Sequence, residues 1–281
     1  MQELDDYIDK VTSLPPAPQI LPELLSLLNQ DDVDSAPVVR LISLDPGLTA
    51  SVLRLSNSAV FAGASSVSDL HEAVTRLGFR QVYQLVAAVV GSKTLGPAQK
   101  GYGMDQGELW HHCVSAAVAA QLLARRHGGD DNLVFTATLL HDIGKIVLAE
   151  ALERQYAKVL ESARDQEVAL LDLEKKALGV QHAEVGGRLL ARWKFPANIV
   201  SAVWFHHDPA AAQPHQELAA YVYLGNVVAY SMGHGYGHRS FAIEGHHDVF
   251  DMIGVSPDIL PHMMVETFAN LQLVQTLFSA R

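Results

Sequence analysis

Apolar residues recur along this chain at helical rather than strand spacing. Leu21, Leu24, Leu25 and Leu28 follow the i, i+3, i+4, i+7 rule of a single helix face. Pro22 stands in the first turn, where a missing N–H is tolerated. Val38, Val39, Leu41 and Ile42 form a short apolar segment closed by Asp45-Pro46, because the residue before a proline is driven out of the helical region. Helical spacing resumes at Leu48, Val52, Leu53 and Leu55. Segments 69–78 and 79–92 predict two helices that part near Gly78, and an Ala-rich helix is predicted from Glu108 to about His127, broken by Gly128-Gly129. Leu133 to Leu140 is apolar, and residues 151–178 mix Glu, Lys, Leu and Ala at helical spacing. Further helices are predicted over 182–193, 197–206, 215–232 and 257–279. No series of alternating strands interrupts them, so the expected fold class is all-α, with room for at most a short hairpin.

Gly96, Pro97, Gly101, Gly103 and Gly107 mark the sharpest change of composition. It divides one expected unit into an N-terminal helical lobe, 1–100, and a second helical part, 101–281. With 49% hydrophobic and 18% charged residues the chain is not of the disordered class. A net charge of −11 argues against general nucleic-acid binding, which needs a basic surface to displace counterions. The only cysteine, Cys113, excludes an internal disulfide and fits a reducing compartment. The acidic N-terminus lacks the order of a signal peptide, and no apolar run approaches the roughly 20 residues that cross a bilayer. A cytoplasmic protein without a membrane segment is expected.

Fourteen histidines change the picture. His111-His112, His141-Asp142, His182 and His206-His207-Asp208 fall on or at the ends of predicted helices. His141-Asp142 directly follows the apolar run 134–140, where a charged pair is costly unless compensated. A divalent transition metal compensates well. Imidazole nitrogen and carboxylate oxygen both ligate Fe, Mn or Zn, and a carboxylate can bridge two metals. The dipeptide alone fits a hydrogen-bonded pair at a helix end better than a metal site, and Lys145 alone fits a solvent-facing residue. His111 is expected to face solvent. His234, His238, His246 and His247 lie in a Gly-rich stretch that reads as an exposed loop. Trp110, Trp193 and Trp204 read as packing residues. Asp45, Pro46, Asn57 and Ser58 read as structural, the last two serving a helix end.

The order His112, His141-Asp142, His182, His206-His207 resembles the histidine–aspartate (HD) superfamily of metal-dependent phosphohydrolases. More specific matches are Leu14-Pro15-Pro16-Ala17-Pro18, Leu44-Asp45-Pro46-Gly47-Leu48, Leu55-Ser56-Asn57-Ser58 and Ala73-Val74-Thr75-Arg76-Leu77-Gly78. Leu109-Trp110-His111-His112, His182-Ala183-Glu184-Val185-Gly186, Trp193-Lys194-Phe195-Pro196 and His206-His207-Asp208-Pro209 continue the series. Over about residues 10–230 the chain is similar to the HDOD family, the HD-related output domains of bacterial signalling proteins.

The resemblance implies two helical lobes, the second being an HD-type bundle that gathers the distant histidines. It implies His112, His141, Asp142, His182, His206 and His207 as metal ligands. Asp142 would bridge and, with Lys145, would carry any catalysis, Lys145 neutralising phosphate charge. It further implies either a signalling module that binds a protein partner or a nucleotide-like or phosphate ligand, or a working phosphohydrolase on a phosphate ester or nucleotide. One departure weighs against full catalysis. Asn226 in Tyr223-Leu224-Gly225-Asn226 stands where the superfamily usually places an Asp, and an amide brings neither charge nor a base.

Overall fold

The computed structural model describes Asp5, Ile8 and residues 20–28, 34–61, 66–151, 170–234 and 248–279. Five helices come first: α1 Ile20–Leu28, α2 Ser35–Ser43, α3 Pro46–Ser56, α4 Leu70–Leu77 and α5 Phe79–Leu95. Short polar residues start them. Asp34, Asp45 and Asp69 each accept a first-turn backbone N–H from an extended N-cap position, and Pro46 fills N1 of α3. Asn57 ends α3 and also pins the returning chain, since its amide donates to Leu53 O and Val67 O while its Oδ1 accepts from Val67 N–H. The Ser58 hydroxyl adds nothing to this helix end, since its buried Oγ has no hydrogen-bond partner among the described residues. The Gly-rich stretch after α5 is folded, with a 3-10 turn at Lys100–Tyr102 and a bridge between Gln99 and Met104.

The remaining helices are α6 Glu108–His127, α7 Asp131–Leu139, α8 Ile143–Ala151, α9 Leu170–Leu178, α10 His182–Arg192, α11 Ala197–Trp204, α12 Gln216–Ser231, α13 Asp248–Met252 and α14 Leu260–Ser279. No strand occurs among the described residues, and the all-α expectation holds. The helical spacing read over 151–178 falls within described residues only at 151 and 170–178. In the histidine-rich stretch only 233–234 and 248 are described.

Small residues set the geometry of this part. Ala116, Ala117, Ala119, Ala120 and Ala124 are buried on α6, which lets α12 lie close along it. At the crossing a Cβ on Gly225 would meet Ala116 O at 2.5 Å. A closer approach joins α8 to α10, where a Cβ on Gly144 would meet His182 O at 1.9 Å. These two contacts decide where His112, Asp142 and His182 stand relative to one another. Helix α5 packs on α6 and α7, and one continuous apolar cluster runs from Ile42 and Val52 through Leu109 and Val147 to Val203. Trp110, Trp193 and Trp204 are half-buried against it, as packing residues.

Contrary to the expectation of no long apolar run, Asp131–Ala149 is long and apolar enough by length and composition to cross a membrane. The His141-Asp142 interruption hides this when charges are read singly but not when hydropathy is averaged. In the fold 89% of that window is buried, because α7, the turn and α8 form the centre of the bundle.

Candidate metal centre

Six candidate ligands separated by up to 95 positions meet at one place. His112 comes from α6, His141 and Asp142 from the turn between α7 and α8, His182 from the first turn of α10, and His206-His207 from the turn after α11. They form two triads, His112–His141–Asp142 and His182–His206–His207, each with its ligand atoms within 4.8 Å of one another. Asp142 joins them. Its Oδ2 lies 3.4 Å from His112 Nε2 and 3.5 Å from His141 Nε2, while its Oδ1 lies 3.2 Å from His182 Nε2. His207 joins because α11 ends at Trp204, two residues before the predicted end. His206 and His207 therefore sit in a turn with rings 3.9 Å apart, rather than splayed about 100° apart on a helix. His111 is exposed, as expected.

Each key imidazole is oriented from behind. His141 Nδ1–H donates to Thr138 O at 2.6 Å, and His206 Nδ1–H donates to Val203 O at 2.7 Å. Both carbonyls lie three residues back, at the C-terminal end of the preceding helix. His112 Nδ1–H donates to His234 O at 2.8 Å. His182 Nδ1 lies 2.8 Å from Glu174 Oε2. With Nδ1 carrying the proton, the Nε2 lone pairs face inward, which is how metal-ligating histidines are prepared. The consequence is electrostatic. His112 and His141 bring two Nε2 atoms to 3.3 Å, His182 and His207 bring two to 3.0 Å, and buried His206 Nε2 has no hydrogen-bond partner among the described residues. Where both Nδ1 atoms carry the proton, as in His112 and His141, the facing Nε2 lone pairs call for a cation between them, so the residues fit a divalent metal.

Burial sharpens the electrostatics. His112, His141, Asp142, His182 and His206 are at most 1% exposed, and only His207 is half-buried. Burial pushes His112 down to about 3 despite the attraction of Asp142, and it holds His141, His206 and His207 below the usual histidine range. For His182 burial acts the same way, but Glu174 and Asp142 together outweigh it and the ring is raised. Burial opposes the Asp142 carboxylate, yet Lys145, His141 and His182 keep it well below the ordinary range.

Lys145 does not face solvent. It is 2% exposed, with Nζ 2.6 Å from Asp142 Oδ2. Burial works against its charge, but Asp142 raises it. Asn226 is buried, its Oδ1 lacks a partner among the described residues, and it shares a face of α12 with Tyr230, whose ring lies 4.8 Å from that of His112.

Sequence reasoning missed Glu174. It reads as part of a charged run, yet it is fully buried and accepts from Tyr102 OH at 2.9 Å and from His182 N–H at 2.8 Å. Its one signal is position, since Leu170, Glu174 and Leu178 share a helix face at intervals of four. His234 was also misplaced. Far from being a free loop residue, it is half-buried, with its carbonyl on His112 and its Nδ1 2.7 Å from Ser115 Oγ.

The model of the HDOD domain matches residues 14–209. The chain belongs to the HDOD family. A 223-residue stretch of the HDOD chain, 78% of it, is 28% identical to an uncharacterized protein of Treponema pallidum (strain Nichols), and the HDOD chain spans 42% of that relative's length. A solved structure of a candidate signal transduction protein from Marinobacter aquaeolei VT8 superposes with a TM-score of 0.76 at 22% identity, covering 99% of this chain and 65% of that one. A candidate phosphohydrolase from Shewanella amazonensis SB2B superposes with a TM-score of 0.70 at 26% identity, covering 95% and 93%.

Proposed function

We propose that the HDOD chain is a signalling module built around a buried metal centre, and that it acts on a protein partner or a nucleotide-like or phosphate-bearing ligand. One observation carries the metal part. Four imidazoles have Nδ1 fixed by an acceptor, so that their Nε2 atoms converge around Asp142. His112, His141, Asp142, His182, His206 and His207 would hold the metal, and their nitrogen and oxygen donors suit Fe, Mn or Zn. Three features favour regulation over turnover. The ligand atoms are sealed from solvent except at His207. The Lys145 ammonium is engaged by Asp142 rather than presented to a phosphate. Asn226 can neither balance charge nor accept a proton.

A second reading, a metal-dependent phosphohydrolase, draws on the complete histidine set and on the neighbour from Shewanella amazonensis. Bound at this site, a divalent metal supplies Lewis acidity toward a phosphoryl oxygen. In that reading Asp142 anchors both triads, and Lys145 must leave Asp142 to meet substrate charge. Metal analysis of the purified chain, with Asp142→Ala as control, tests the shared part. Bound metal that is lost in the variant is expected, whereas no metal, or unchanged metal in Asp142→Ala, refutes it. Hydrolysis of a generic phosphodiester should be weak or absent. Robust turnover abolished by Asp142→Ala would replace the signalling reading with the hydrolytic one.

A further inference from the structure

The Gly-rich stretch that joins α5 to α6 folds against the metal centre. Its backbone closes on itself. Gln99 N–H donates to Met104 O at 3.0 Å, Met104 N–H donates to Gln99 O at 3.1 Å, and Tyr102 N–H donates to Gln99 O at 2.9 Å. Gly103, at φ +66, supplies the left-handed residue that this turn needs. Gly101 lets the turn lie on α8, since a Cβ there would meet both Cα and O of Ala149 at 3.1 Å. A turn braced in this way aims one aromatic side chain inward, that of Tyr102, which is buried.

Tyr102 begins a chain of polar contacts. Its OH donates to Glu174 Oε1 on α9 at 2.9 Å. Glu174 Oε2 accepts from the His182 backbone N–H at 2.8 Å and lies 2.8 Å from His182 Nδ1. The far side of that ring, Nε2, lies 3.2 Å from Asp142 Oδ1. A buried phenol needs an acceptor, and a backbone carbonyl would satisfy it. Here the acceptor is the same carboxylate that orients a candidate ligand.

We infer that Tyr102 is a positioning residue of the metal centre, acting through Glu174, and that the 99–104 turn and metal occupancy are thereby linked. This rests on the metal-centred reading and specifies which segment of the chain responds to the ion. Tyr102 holds Oε1 while the His182 backbone holds Oε2, so the carboxylate presents a set orientation to the imidazole behind which it stands. Without the hydroxyl the carboxylate loses one anchor, and part of the preorganisation of His182 goes with it. Groups behind a ligating histidine tune metal affinity in this way. The linkage is reciprocal. An ion that binds better with Tyr102 seated on Glu174 must strengthen that contact by the same factor, and the turn with it. A change in occupancy is then felt at the junction of α5 and α6.

The test is Mn(II) titration of the full chain, with free Mn(II) read by electron paramagnetic resonance, together with hydrogen exchange across residues 99–104. Tyr102→Phe should lower Mn(II) affinity about 3–10-fold. The same substitution made in Glu174→Ala should lower it no further, because the residue through which Tyr102 acts is gone. Tyr83→Phe, which removes a different buried hydroxyl, should keep the wild-type affinity. Mn(II) should slow exchange across 99–104 by about threefold or more in the wild type and less in Tyr102→Phe. Affinity within twofold of wild type in Tyr102→Phe, an equal loss in Tyr83→Phe, an undiminished effect in Glu174→Ala, or exchange indifferent to Mn(II) overturns the inference and leaves the metal-centred reading standing. No Mn(II) bound by the wild type overturns both. Tyr102→Phe removes a single oxygen and fills the same space, so the deciding comparison does not depend on whether Glu174→Ala folds.

Discussion

Gly144→Ala is the sharpest perturbation that the fold offers. Gly144 is the second residue of α8, and an alanine there would ordinarily stabilise a helix by up to about 1 kcal/mol. Here the added Cβ would lie 1.9 Å from His182 O, 2.7 Å from Gly186 N and 2.8 Å from His182 C. All three are backbone atoms of α10 and cannot swing aside as a side chain would. To reach even the shortest tolerable contact of 3.0 Å, the first turn of α10 must retreat by about 1.1 Å. Overpacking of this kind costs roughly 3 kcal/mol or more, so the net loss should be at least about 2 kcal/mol. For a chain of this size that lowers the melting temperature by roughly 4–8 °C. The same retreat carries His182 away from Asp142 Oδ1, now 3.2 Å distant, so metal affinity should fall at least tenfold. Gly186→Ala is the internal control. Its nearest contacts are 3.2, 3.3 and 3.4 Å, two of them to side chains, and its cost should stay within about 1 kcal/mol. Calorimetry and metal titration of both variants provide the check. If Gly144→Ala melts within about 2 °C of wild type, or Gly186→Ala proves the worse of the two, the close approach of α8 and α10 is wrong.

Three further predictions concern the buried polar groups. Glu174→Ala removes the acceptor of His182 Nδ1, His182 N–H and Tyr102 OH; it should cost on the order of 3 kcal/mol in urea denaturation and weaken metal binding about 10–100-fold. Glu174→Gln, which keeps an acceptor, should be milder, and equal effects would count against the positioning role. In metal-free protein, burial depresses His112, His141, His206 and His207, so their contribution is full above about pH 6.5 and is lost as pH falls, for His112 toward about 3. His182 is raised and runs oppositely, its contribution being lost as pH rises above its folded value. With four groups against one, urea midpoints should be lower at pH 5 than at pH 7.5, and an unchanged midpoint contradicts the burial of these rings. Finally, Tyr83 OH meets Thr136 Oγ1 in a buried contact between α5 and α7, and Thr136 also donates to Asn132 O. Tyr83→Phe should cost about 1 kcal/mol and Thr136→Val more, because the latter leaves a buried phenol without its partner; the reverse order in thermal melts would contradict this.

The helices were legible because their signals are local. Leu21, Leu24 and Leu25 are the buried face of α1, and α6 spans the residues that its Ala content and following glycines predict. That His112, His141, Asp142, His182, His206 and His207 belong to one group was legible through order and resemblance, not through any one motif. What escaped belongs to tertiary contacts. Thr138 O, Val203 O and His234 O orient three rings, but every residue carries a carbonyl, so no sequence signal marks these. Glu174 reads as a solvated charge because its neighbours Asp172, Lys175 and Lys176 are so, whereas Lys145 reads so only as a lone cation near a helix end, and their partners alone reveal that both are buried. The place of His207 depended on α11 ending early, and element ends are where periodicity says least.

The sealing of the centre has a kinetic side. Its candidate ligands hang from α6, the α7–α8 turn, α10 and the turn after α11, elements packed against one another. On the metal-centred reading, an ion can leave only past the half-buried His207 or when those elements part, so exchange is slower than at a solvent-exposed complex. Chelator concentration then ceases to matter once capture outpaces reclosing. On that reading, occupancy would be set largely as the chain folds, by whichever suitable ion is abundant at that moment. Such a module would carry a record of the metal supply at its own synthesis, insulated from later fluctuations.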